Sequence, residues 1–320
     1  MEQQLKLKPI PSYLTEFLEW LEIEKGSSSK SQENYSRFLK KFFDWLRMNK
    51  LENLKPNELS SEHIRKYRFF LSRQSSPQSK NPLKKSTQRY YLIALRSLLK
   101  FFADRDIPSL PPEKVKLARN KEEKEVRFLD LEQLEKLFSM PDTSTKQGLR
   151  DRAILETLFS TGMRVSELIA LNRDQIKIKQ NTEDLEVSII GKGGRMRTVY
   201  FSKRAIIWLK KYLDARNDKE KALFVHYKSK KNAPKRLTSR SIEKMIKKYT
   251  IMAGLPLNTT PHVLRHSFAT DLLSKGVDIR ILQEFLGHKS ILATQIYAHV
   301  TNKQLREIHR KYHSGRKTKK

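Results

Sequence analysis

Apolar residues recur at helical spacing through the first third of the chain. Leu14, Phe17, Leu18 and Leu21 fall at i, i+3, i+4 and i+7, which places them on one face of an α-helix. The same stripe returns at Tyr35, Phe38, Leu39, Phe42 and Leu46, and again at Leu92, Leu95, Leu99 and Phe102. Between the stripes lie EKGSSSKS at 24–31, KPNELSS at 55–61 and SSPQSKNPLKK at 75–85. Their Gly, Pro and Ser break helices, so residues 1–105 are expected to form a small bundle of about four helices. The segment from 106 to 127 carries three prolines and a mixed charge run without periodicity, and is expected to be an interdomain linker. At 128 a second domain begins. Asp130 and Gln133 have capping-box spacing ahead of Leu134, Leu137 and Phe138.

The period changes once. Leu185, Val187 and Ile189 alternate with polar residues, a GKGG stretch follows, and a second run ends at Val199 and Phe201. That pattern predicts a β-hairpin over 185–201 with Lys192 at or beside its tip. From Lys203 onward the pattern is helical again, broken at NAPKR, GLPLNTTP, SKGVD and LGHKS. The expected class is therefore mainly α with one small hairpin, an α+β fold in two domains. The last residues, SGRKTKK at 314–320, read as a disordered basic tail.

Charge narrows the partner. The 320 residues hold 66 Lys and Arg against 35 Asp and Glu, a formal charge of +31, which calls for a polyanion such as nucleic acid. A membrane is the competing polyanion, but no run approaches the roughly 18 apolar residues of a spanning helix, and no signal-peptide apolar region opens the chain. A cytoplasmic, nucleoid-associated protein is expected. Lys30, Arg37, Lys40, Lys41, Lys84, Lys85, Arg89 and Arg96 lie on the polar faces of the first helices. Each alone fits a solvated face; together with the global charge they suggest a DNA-backbone surface. With no cysteine in the chain, disulfides, thiolate catalysis and Cys-ligated zinc are excluded. No metal or cofactor is expected.

Three segments could carry chemistry. In TTPHVLRH, Thr260 fits an N-cap and Pro261 the first helical position, so His262 and Arg265 share one face of the first turn. A helix N-terminus bearing His and Arg suits a phosphate, although a structural Arg–carboxylate pair with a packed His fits equally well. His266 beside them reads as structural or as the partner of a buried carboxylate such as Asp271. In STGMRVSELIAL, Gly162 marks a break before Arg164, and Glu167 three positions on could brace that Arg in a plain ion pair. FLGHKS ends a helix at Gly287 and leaves His288 on the next turn, nine residues before Tyr297, a residue that could equally be core.

Taken in order, TGMRVSEL, GKGGRMRTV, PHVLRHSFATDLL and LGHKSILATQIYAHV, with SQENYSRFLKKFFDWL in the first half, resemble the tyrosine recombinases, the site-specific DNA integrases, and their short Xer-type members in particular. The resemblance runs from about residue 12 to 313. It implies a two-domain DNA clamp, with an N-terminal SAM-like core-binding domain over 1–105 and a catalytic domain over 128–313. It also implies six catalytic positions here: Arg164, Lys192, His262, Arg265, His288 and Tyr297. Tyr297 would attack the scissile phosphate to give a 3′-phosphotyrosyl link, with His262 as its base or hydrogen-bond partner. Arg164 and Arg265 would clamp the phosphate, His288 would donate to it, Lys192 would protonate the leaving 5′ oxygen, and Glu167 would orient. Many relatives carry a second Lys shortly after Gly-Lys-Gly where this chain has Arg195, which leaves open which basic group acts as acid.

The implied activity is metal- and ATP-independent recombination of double-stranded DNA at a specific site, of the kind that resolves chromosome or plasmid dimers. The implied assembly is a homotetramer on two duplexes, with a second recombinase or a DNA translocase as possible partners. The segment AHVTNKQLREIHRKYH after Tyr297 would form an amphipathic helix that docks on a neighbouring protomer. Three alternatives share parts of this sequence: an integrase or transposase of a mobile element, a type IB topoisomerase, and a catalytically idle DNA-binding protein.

Overall fold

The structure, a computed structural model, describes residues 7–75, 81–117, 127–179, 182–191, 193–227, 235–288 and 290–297. The chain divides into two compact units, Met1–Glu123 and Lys124–Lys320. Among the described residues no helix is long and apolar enough to cross a membrane.

Among the described residues of the first unit there are four α-helices: α1 (Leu14–Ile23), α2 (Ser29–Met48), α3 (Ser61–Arg73) and α4 (Lys85–Asp104). The expected stripes form its core. Phe17, Leu21, Leu39, Phe42, Leu46, Leu92, Leu95, Leu99 and Phe102 are all buried. Ser28 and Ser60 cap α2 and α3 with their side-chain oxygens, satisfying amides that the first turn leaves without partners. The segment expected to be an interdomain linker packs on this unit at its start. Ile107 and Val115 are buried in this core, and Leu110 and Leu117 pack against it, because the intervening prolines hold the backbone off a helix without preventing its apolar residues from docking.

On the polar side, Arg37 lies over the Phe38 ring at 5.1 Å, and that ring stacks on exposed Tyr90 at 5.9 Å. Lys30 pairs with Glu33 and Lys41 donates to Gln74. Among the described residues Lys40, Lys84, Lys85 and Arg96 form no ion pair.

The second unit holds α5 (Leu131–Ser139), α6 (Lys146–Thr161), α7 (Val165–Ala170), the hairpin β1 (Leu185–Ile190) and β2 (Met196–Phe201), α8 (Lys203–Asp214), α9 (Ser239–Met252), α10 (Pro261–Ser274), α11 (Ile279–Leu286) and α12 (Leu292–Gln295). Asp130 caps α5 and Gln133 returns the bond, the reciprocal box read from the sequence. The strands pair antiparallel with Leu185 opposite Phe201, Val187 opposite Val199 and Ile189 opposite Arg197. Gly191 N donates to Arg195 O at 2.7 Å to close the turn; Lys192, within it, lies outside the described residues. Helix α10 is central. Val263, Leu264, Arg265, Ser267, Ala269, Thr270 and Leu273 are buried on it, more than one face can supply, because α6, α9 and α11 all pack against it.

Candidate active site

The site is built where α6 stops. Gly162 caps α6 in the left-handed region at φ 58°, a conformation that costs a side-chain-bearing residue about 1 kcal/mol or more. Space forbids a side chain as well, since a Cβ at Gly162 would stand 2.3 Å from the Phe268 ring. Gly162→Ala is therefore expected to destabilise the protein by about 2–4 kcal/mol, read from the urea midpoint at unchanged slope.

The turn turns the chain so that Arg164 sits at the N-cap of α7. Its backbone N–H donates to Glu167 Oε2 at 2.7 Å and its Nη1 to Oε1 at 3.0 Å. Glu167 also receives Arg197 from β2, with Nη1 to Oε1 at 2.9 Å and Nη2 to Oε2 at 2.7 Å. Burial alone would raise the pKa of Glu167, but the bonds from Arg197 and Arg164 outweigh it and hold the carboxyl below its usual 4.5.

Arg265 enters from α10 and is 4 % exposed. Its Nη1 donates to Gly162 O at 2.6 Å, and its Nη2 donates to Leu286 O at 2.6 Å and to His288 Nε2 at 3.0 Å. A guanidinium only donates, so His288 Nε2 accepts and its Nδ1–H points to Thr294 Oγ1 at 2.9 Å. Burial, then the charges of Arg164 and its neighbours, push Arg265 down to about 9. Burial and the charge of Arg265 likewise hold His288 at about 4. Among the described residues, three guanidiniums thus face one carboxylate, and His288 is neutral.

Tyr297 is 1 % exposed, packed with Ala269, Leu273, Leu282 and Leu286. Its hydroxyl meets His266 Nδ1 at 2.6 Å, with the rings edge to face at 5.4 Å. Of the two readings offered for His266, structural or partner of a carboxylate such as Asp271, the pairing with Asp271 does not form; Asp271 pairs with Lys275 instead. His266 is placed so because it lies one residue beyond Arg265 on α10, about 100° around the helix. Burial first, and then His262 and Arg265, hold His266 at about 4. A buried hydroxyl with no other partner among the described residues must donate, so Nδ1 accepts from Tyr297. Burial pushes the phenol up to about 12, against the lowering charges of Arg265 and Arg164.

His262 stands at the start of α10, exposed and without a hydrogen bond among the described residues. Loss of hydration and the charges of Arg265 and Arg164 lower its pKa. The structure therefore gathers Arg164, Arg265 and His288 around one point, sets His262 beside them, and holds Tyr297 in a neighbouring pocket. His266 and Arg197 join the set; the sequence reading gave His266 only a structural or carboxylate-pairing role and gave Arg197 none. Arg197 carried a signal: it is in phase with Val199 and Phe201, the inward face of β2, where a charge needs a buried partner.

The titration of these groups fixes how stability follows pH. His266 and His288 titrate at 6.5 unfolded but near 4 folded, so the unfolded chain binds more protons between those values and stability falls as pH drops through that window. Glu167, lowered from 4.5, adds stability that is full above 4.5 and lost below it. Thermal melts from pH 7 to 3 are expected to show Tm falling from about pH 6.5, with the fall shallower in His288→Gln.

Comparison with known proteins places the chain in a family. Residues 127–304 match the model of the phage integrase family, and residues 14–106 match that family's N-terminal SAM-like domain. The chain belongs to the phage integrase family. Among curated family members it is 32 % identical over 309 residues to the tyrosine recombinase XerD of Lacticaseibacillus casei, covering 94 % of this chain and 98 % of that one. It is 31 % identical over 313 residues to XerC of Pelotomaculum thermopropionicum, covering 94 % and 97 %. Among solved integrase-family structures, the XerH site-specific recombinase bound to palindromic difH substrate, in a post-cleavage complex, superposes with a TM-score of 0.67 at 25 % identity, covering 92 % of this chain and 83 % of that chain. A lambda integrase dimer bound to a core site shares the fold at 16 % identity and a TM-score of 0.66, covering 90 % of this chain and 77 % of that chain.

Proposed function

We propose that this integrase-family enzyme is an Xer-type site-specific recombinase that cuts and rejoins double-stranded DNA through Tyr297. The observation that carries the reading is the convergence of Arg164, Arg265 and His288 on a point that already has surplus positive charge and one carboxylate. Burial first and then that surplus depress Arg265 and His288, and an anion would offset the cost that the surplus adds. A scissile phosphate is the anion a chain of +31 would meet.

In this reading the Tyr297 oxygen attacks phosphorus, the bond from phosphorus to the 5′ oxygen breaks, and the 3′ phosphate stays on the tyrosine. The Tyr297 proton passes to an imidazole, with His266 already in contact and His262 the residue the family resemblance proposes. The departing 5′ oxygen takes a proton from Lys192. Arg164 and Arg265 hold the non-bridging oxygens through the transition state, where planar forks suit the geometry. Phosphate arrival also changes His288: an anion in place of the Arg265 contact raises its pKa and frees Nε2 to donate. Rejoining reverses the attack, so the bond energy is kept and no nucleotide is consumed.

The finer assembly belongs to the same proposal. Four protomers on two duplexes follow from heterologous contacts that close into a ring, with residues 298–313, outside the described residues, as the docking segment. The test is an adduct assay in EDTA: protein mixed with DNA fragments, denatured in SDS, and examined for DNA that remains attached. Attached DNA sharing one sequence supports the reading. Binding without adducts on any fragment, alone or with a partner recombinase, contradicts it.

A further inference from the structure

Arg197 belongs to none of the six catalytic positions, yet three parts of the site close around it. It stands on the inward face of β2, opposite Ile189, and its side chain is only 11 % exposed. Its Nη1 and Nη2 take both oxygens of Glu167, and its Nε donates to Phe285 O at 3.3 Å. The backbone is fitted to it on two sides. A Cβ at Gly287 would stand 2.9 Å from Arg197 Cδ, and one at Gly191 would stand 3.0 Å from its Nη1.

Two consequences follow from that placement. Phe285 O and Leu286 O are carbonyls at the C-terminus of α11, where a helix has no internal partner for them. Arg197 takes the first and Arg265 the second, so the end of the helix from which His288 emerges is held twice over and keeps the Arg265 bond when Arg197 is replaced. The other consequence concerns Arg164. Because Arg197 bonds both carboxylate oxygens, the Arg164 guanidinium spends only Nη1 on Glu167, and no described group takes its Nη2 or Nε.

We propose that Arg197 is a positioning residue: by saturating Glu167 it keeps the outer edge of the Arg164 guanidinium open for the scissile phosphate. The inference rests on the phosphate-clamp reading above. Without Arg197, a buried carboxylate with one remaining cation would draw Arg164 into a two-pronged pair, turning its fork away from the phosphate.

The test uses the full chain and single-turnover cleavage of a nicked DNA substrate, with Kd for DNA and Tm measured alongside. Arg197→Met is expected to slow cleavage by about 10²-fold while Kd stays within about 3-fold. In an Arg164→Ala background the same change is expected to add less than about 3-fold, since the residue it acts through is gone. Full additivity of the two losses, or a loss that appears in Kd instead of rate, overturns the proposal. Should Arg197→Met not fold, Arg197→Lys keeps the charge and loses the fork, and is expected to slow cleavage with the same non-additivity; wild-type rate in Arg197→Lys overturns the proposal. If Arg164→Ala itself cleaves at the wild-type rate, the phosphate-clamp reading fails, a result distinct from failure of this inference.

Discussion

Tyr297→Phe is expected to lower covalent DNA cleavage by roughly 10⁴-fold or more while leaving DNA affinity within about 2-fold. The substitution removes one oxygen from a buried ring. On the proposed mechanism the lost atom is the attacking nucleophile, and no described hydroxyl shares its place against His266. The ring itself keeps its packing against Ala269, Leu273, Leu282 and Leu286, so the fold survives. Stability is expected to fall by about 1–2 kcal/mol, because His266 Nδ1 loses the hydroxyl that donates to it at 2.6 Å. Single-turnover cleavage, filter binding and thermal melts read the three effects separately. Loss of binding in step with cleavage would show that Tyr297 supports the fold instead of the chemistry.

Arg265→Met is expected to lower cleavage by about 10³-fold or more with little change in stability. Two opposing effects decide the second half of that statement. Burial and neighbouring charge push Arg265 down to about 9 from 12.5, an unfavourable placement on the order of 5 kcal/mol that a neutral side chain avoids. Against it, Gly162 O and Leu286 O lose their donors, at about 1–3 kcal/mol each. The two nearly cancel, so Tm is expected to move by only a few degrees. A residue kept for structure alone would show the reverse: a large fall in Tm and cleavage that recovers when the protein is cooled. On the proposed function, little change in Tm with a large loss of cleavage is the mark of a group held in an unfavourable place for a partner that arrives with the substrate.

Much of this was legible in the sequence, for physical reasons that differ by element. The helical stripes of the first unit and the alternation at Leu185, Val187 and Ile189 are local periodicities, and they predicted the elements that formed. Thr260 with Pro261, and Gly162 and Gly287 at φ 58° and 59°, are cap signals that act within one turn. They fixed where Arg164, His262 and His288 stand. The Glu167 brace also needed only i+3 spacing. What the sequence hid were pairings set by packing between distant elements. His266 meets Tyr297 across 31 positions, and the residue's own neighbours favoured Asp271, which Lys275 occupies four positions on. Arg197 meets Glu167 across 30 positions, and its inward phase on β2 was the one clue. The start of the expected linker packs on the first core through Ile107 and Val115, an outcome that three prolines concealed.

The measurement that tests the central claim most directly identifies the atom carrying the DNA. The protein is trapped on a nicked substrate in EDTA, digested with protease and nuclease, and the linked peptide is sequenced by mass spectrometry. The account predicts a nucleotide 3′ phosphate on Tyr297, within the peptide ILATQIYAHVTNK. A phosphate on any other residue, or on none while strands are still cut, contradicts it.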